Sequence, residues 1–151
     1  MSAVLLPHTG WTRLRTAVNW VNLSTPLGLL VARCGGTRRE RRGRGTVLAG
    51  DYRFGFPVAG AFTIGGVIIS RMPLERLRTR TVLLEHEDRH VTQYGFCLGL
   101  PMVLLYVAAA GVSWVLSGNH YAYNPFERWA GLATGGYPVA RTRWAARRAA
   151  A

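Results

Sequence analysis

The stretch Thr81-Val82-Leu83-Leu84-Glu85-His86-Glu87-Asp88-Arg89-His90-Val91-Thr92-Gln93-Tyr94 decides how the chain is read, because it closes a run from Leu74 that holds neither Gly nor Pro. Many of its residues are good helix formers, so a helix is expected to start near Pro73 or Thr79 and to end near Gly95. His86 and His90 are four residues apart, which puts both imidazoles on one helix face where they can share a metal ion, with Glu87 beside them to polarise water. From the chain's own His and Glu frequencies the H-E-x-x-H pattern is expected by chance roughly 0.003 times. Glu85, Asp88, Arg89 and Thr92 share another face, with Glu85 four residues before Arg89 in the favourable ion-pair order, and that face is expected to be solvated. His86, Glu87 and His90 then point inward among Leu83, Val91 and Tyr94, where a bound cation would compensate their polarity.

Two histidines leave a tetrahedral site short of a protein ligand, with the fourth position open for water if the site is catalytic. Glu127, in Asn124-Pro125-Phe126-Glu127-Arg128-Trp129-Ala130, is the first candidate, since it is the only carboxylate after Asp88. The same residues also read as a capping box, with Asn124 as N-cap, Pro125 at N1 and Glu127 at N3 bonding back to a backbone N–H. His120 is the alternative third ligand and would make a three-histidine site.

His86-Glu87-x-x-His90-x-x-Gln93 followed by Asn124-Pro125-Phe126-Glu127-x-x-Ala130 resembles the small gluzincin-type zinc metallopeptidase domains, over about Thr81–Ala133. The resemblance implies that His86, His90 and Glu127 hold Zn2+, that Glu87 is the general base of peptide-bond hydrolysis, and that Gln93 supports a ligand or contacts substrate. Larger gluzincins stabilise the developing oxyanion with a Tyr or His. No motif assigns that role here, although His120, Tyr121 and Tyr123 are near Glu127 in sequence. A zinc site without proteolytic activity is the alternative within this reading.

Outward from the motif, Thr46–Ser70 carries short β-branched and aromatic runs around Gly65-Gly66 and is expected to form two or three strands, like the minimal sheet such domains set beside the active-site helix. The fold class expected is α+β, one minimal zincin-like domain over residues 1–151: a small sheet on the H-E-x-x-H helix, an apolar helix, then a short helix bearing Glu127. Residues 35–45, rich in Arg and Gly with no apolar side chain, read as an exposed loop. Residues 140–151 read as a basic Ala/Arg tail that frays. In Trp11–Ala32, Ser24-Thr25-Pro26-Leu27-Gly28 reads as a turn inside a helical or extended lead-in.

Phe96–Gly118 carries no charge. If Leu100–Ser117 formed a helix it would be about 27 Å long, close to the thickness of a bilayer core. A helix that spans would separate His90 from Glu127, whereas metal–ligand distances are about 2 Å, so spanning and a shared site exclude one another. The basic flanks on both sides give no positive-inside asymmetry, which favours a folded-back helix over the rival of a small non-catalytic membrane protein. An all-apolar helix is nevertheless hard for a small chain to cover, so residues 100–117 are expected to meet a second copy or a membrane surface.

Composition bounds the rest. The 151 residues are 49% hydrophobic, which excludes disorder and repetitive fibrous classes. All nineteen basic residues are Arg and the net charge is +12. The arginines scatter without a stripe, no nucleic-acid-binding signature is present, and nucleic acid is therefore not expected as a partner. Cys34 and Cys97 allow one disulfide at most and no secretory signal is visible, so the expectation is a reducing, cytoplasmic setting with membrane association through the apolar segment.

Overall fold

The computed structural model describes residues 7–57 and 59–149. Among them are seven helices and a four-stranded mixed sheet, an α+β architecture. Two helices open the chain, α1 (Gly10–Val21) and α2 (Ser24–Cys34), followed by β1 (Arg38–Gly43), β2 (Thr46–Gly50), β3 (Ala61–Ile64) and β4 (Val67–Ser70). Then come α3 (Leu74–Thr79), α4 (Thr81–Phe96), α5 (Pro101–Ser117), α6 (Pro125–Ala130) and α7 (Arg143–Ala149).

The strand order is β1-β2-β4-β3, antiparallel at both edges and parallel between β2 and β4. The period-2 alternation of β4 sends Ile68 to one face and Val67 and Ile69 to the other. Ile68 packs with Leu48, Leu74, Leu77, Leu84 and Val91 beneath α3 and α4. Val67 and Ile69 pack with Ala32, Ala49 and Tyr52 on the α2 side. The sheet is thus sandwiched, and α4 takes its position from one face of it. Gly28 on α2 makes this close packing feasible: a Cβ there would come within 2.3 Å of the Ile64 carbonyl oxygen.

Residues 35–45 depart from the expected loop. Their central part is β1, an edge strand paired with β2 from Arg38↔Gly50 to Gly43↔Thr46, closed by a turn with positive φ at Gly43, Arg44 and Gly45. An edge strand needs only backbone pairing and tolerates charged side chains on both faces, which is why the absence of apolar residues was misleading. The expected turn at Ser24–Gly28 is instead the first turn of α2, and the chain reverses at Asn22-Leu23, where Leu23 has φ 65°. Asn22 accepts from the Ser24 N–H and hydroxyl and so closes that reversal.

The helix expected from Pro73 or Thr79 is two helices broken at Arg80. Its supposedly solvated face is also divided. Glu85 and Arg89 are exposed, but Asp88 and Thr92 are covered by α1, from which the buried Arg15 guanidinium grips Asp88 through two nitrogens at 3.0 Å each and Thr92 at 2.9 Å. The tail expected to fray is helical over Arg143–Ala149, and Arg143 stacks over the Trp114 ring at 5.1 Å; residues 150 and 151 lie outside the described residues.

No single described helix is long and apolar enough to cross a membrane. The chain turns by 118° between α4 and α5, and the segment after α5 brings α6 back against α4. The segment is thus folded back, the arrangement expected above, so that His90 and Glu127 meet.

Candidate metal centre

His86 and His90, one turn apart on α4, are joined by Glu127 from the first turn of α6, and all three side chains are buried. Nε2 of His86 lies 3.2 Å from Nε2 of His90 and 3.2 Å from Glu127 Oε2, while His90 Nε2 lies 3.7 Å from Glu127 Oε1. A tetrahedral ion with ligand distances of about 2.0–2.1 Å requires ligand atoms about 3.4 Å apart, and the three separations bracket that value.

The surrounding hydrogen bonds determine the tautomers. His86 Nδ1 is 3.0 Å from the Gly131 carbonyl oxygen, which only accepts, so Nδ1 carries the proton and Nε2 presents a lone pair. Gln93 donates its amide N–H to the Phe126 carbonyl at 2.9 Å, which turns its oxygen toward His90 Nδ1 at 2.7 Å, so that in the neutral ring Nε2 is the nitrogen free to bind a cation. Glu127 Oε2 has no hydrogen-bond partner although it is buried. With both rings neutral, three acceptor atoms thus converge, and a shared proton or a metal ion between them would compensate their crowding. This buried group could hold a metal ion.

Glu127 does not cap its helix. Asn124 caps α6 by accepting from the Phe126 N–H at 3.0 Å, whereas the Glu127 carboxylate turns into the site and its Oε1 accepts from the Tyr106 hydroxyl of α5. Burial alone would raise the Glu127 carboxyl, but the facing imidazoles and the Tyr106 hydroxyl outweigh it and hold it well below the usual carboxylate range. For His90 burial acts downward, yet the Glu127 and Glu87 carboxylates leave it above the ordinary imidazole range.

Glu87 is buried beside the trio, and desolvation raises its carboxyl despite the neighbouring imidazoles and a 2.7 Å hydrogen bond from the Thr63 hydroxyl on β3 to Oε2. It opens onto a cavity of about 220 Å³ whose lining includes Ala61, Leu83, His86, His120 and Tyr137. His120 is therefore a wall residue of the cavity and does not belong to the ligand trio. Tyr121 does not line the cavity; it stacks on Tyr137 at 4.4 Å. Tyr123 does not line the cavity; it faces the Arg128 guanidinium, and its backbone N–H donates to Ser113.

Four residues at the site carried no motif. Thr63 and Tyr137 come from a strand and a loop remote in sequence, and Gly135 passes so close to His86 that a Cβ would lie 2.7 Å from the ring. Tyr106 did leave a trace, as the one phenol in an otherwise apolar segment. Comparison with protein-family models, curated proteins and solved structures found no match.

Proposed function

We propose that the protein is a zinc-dependent metallopeptidase of gluzincin-like, minimal zincin design, with His86, His90 and Glu127 as ligands and Glu87 as general base. The observation that carries this reading is the convergence of three buried ligand atoms, two imidazole nitrogens and a carboxylate oxygen, at near-tetrahedral spacing beside the buried Glu87 carboxyl. Soft thiolates are absent from the trio, and a two-nitrogen, one-carboxylate set suits zinc. Bound there, zinc supplies Lewis-acid polarisation of a carbonyl and activation of water.

The remaining chemistry belongs to the chain. Thr63 holds Glu87 Oε2, which leaves Oε1 to take a proton from the attacking water and to deliver it to the departing amine. Gln93 and the Gly131 carbonyl fix the two ring tautomers, so the imidazoles do not reorient during the reaction. His120 and Tyr137 project from the cavity wall, where a ring N–H or a phenol hydroxyl can donate to the charge that develops on the scissile carbonyl oxygen. The Tyr137 hydroxyl is kept protonated by burial, as that role needs. β3 is an edge strand of the sheet among the described residues, and its outer edge is where an extended peptide backbone would pair. The cavity is smaller than the roughly 300–1,000 Å³ of a site that encloses a drug-sized ligand, so it admits one part of a longer substrate.

The test is elemental analysis of protein purified without chelator, alongside Glu127→Ala prepared identically, followed by a peptide-library digest. About one zinc per chain, lost in the variant, is the expected result. Folded wild-type protein without metal overturns the reading, and stoichiometric zinc without cleavage of any peptide reduces it to a zinc-binding domain.

A further inference from the structure

α5 is apolar almost all round, and the outward side is the more apolar one. Its polar side chains turn inward: Tyr106 reaches Glu127, Ser113 donates to the Asn119 carbonyl at 2.6 Å, and Ser117 donates to the Ser113 carbonyl at 2.9 Å. Outward it presents Leu104 at 75% exposure and Val107 and Val115 at 62% each, with Leu105, Val112 and Trp114 also exposed. At 100° per residue, Val103 through Val115 on that side cover an arc of about 200°. A helix designed for water places these two sets the other way round.

Other exposed apolar side chains lie on the neighbouring helices. Trp11 of α1 stacks on Phe96 at 5.4 Å and Phe96 meets Trp129 at 6.2 Å, all three exposed. Gly99 packs against Asn22, which brings the exposed Val21 and Leu23 to the same end of the molecule as Leu98. At the other end Arg143 caps the Trp114 ring. Exposed Trp side chains beside an apolar helix match the composition of a membrane–water interface.

We propose that α5 is a lipid-docking helix that lies in the surface of an anionic bilayer with its outer arc in the acyl boundary. Two features select lipid over a second copy of the chain. A flat protein partner covers one side of a helix, whereas lipid closes around an arc wider than half its circumference. The charge decides in the same direction, since two copies at +12 each repel one another and an anionic surface attracts each of them. At 17 residues α5 is about 25 Å long, short of the bilayer core, and both its ends return to the metal-centre elements, so it lies in the surface and does not cross. The proposal stands independently of the metal reading, because none of the outward residues touches the trio.

Flotation of the full chain with phosphatidylcholine vesicles, with and without phosphatidylglycerol, tests it against L104E/V107E/V115E. These positions are exposed, and circular dichroism and gel filtration report whether the variant keeps its fold. The wild type is expected to float with the phosphatidylglycerol vesicles, less at high salt, and the folded triple variant to remain at the bottom. Three results would overturn the proposal: folded wild type that floats with neither vesicle, flotation unchanged in the variant, or failure to float together with a dimer that the variant converts to monomer.

Discussion

Glu127 occupies a position where a carboxylate ordinarily bonds back to the helix N-terminus, yet Asn124 alone caps α6 and Glu127 is released to face two imidazoles. The roles of the two acids near the centre separate in the same physical terms. Glu127 is held ionised by its neighbours, whereas burial keeps Glu87 closer to neutrality. Glu87→Gln is expected to retain zinc and to lose at least about a hundredfold in turnover, read by metal analysis and peptide cleavage together. Tyr106→Phe removes the hydrogen bond to Glu127 Oε1 and is expected to weaken zinc binding by about 10–100-fold in competition with a chromogenic chelator. The pH dependence follows from His90. Its raised affinity for a proton means that the metal-free protein keeps the ring charged to higher pH, and that proton must leave before Nε2 can ligate. Zinc affinity should therefore fall as pH is lowered through the raised His90 pKa and level off above it, which titrations at several pH values will read.

Among the elements, α4 is held from three sides: the sheet packs beneath it, α6 brings Glu127 to it, and α1 grips it through Arg15. The Arg15–Asp88 pair fixes the rotation of α4 about its axis and hence the direction in which His86 and His90 point. Arg15→Met leaves the half-buried Asp88 carboxylate without its cation and is expected to cost on the order of 3 kcal/mol, visible as a drop of several degrees in Tm. The periodicity of α4 separated the histidine face from the charged face, but it does not reveal that half of the charged face is covered by a helix seventy residues upstream. β1 illustrates the complementary limit, since pairing with β2 is a backbone property that the Arg-rich side chains neither announce nor prevent.

Across the whole molecule, a metal ion held by His86, His90 and Glu127 would tie α4 to α6 and close the long excursion through α5. Chelator treatment is expected to lower Tm and added zinc to restore it. At a thousandfold excess over Kd the ligand stabilises the fold by about 4 kcal/mol, a shift that scanning calorimetry resolves. The sequence alone was sufficient for the helix that bears His86 and His90, the strands between Thr46 and Ser70, the short helix after Asn124 and three potential ligands, because each rests on local periodicity, a local cap or a fixed residue spacing. Only the tertiary structure could choose Glu127 over His120, introduce Thr63, Tyr106, Gly135 and Tyr137, and bend the apolar segment back, with its polar side chains inward and its apolar ones outward. The reason is physical: helix and strand tendencies act over a few residues. Which atoms meet across 21, 24 or 41 positions of chain depends on how separate faces pack, and that is decided when the layers close.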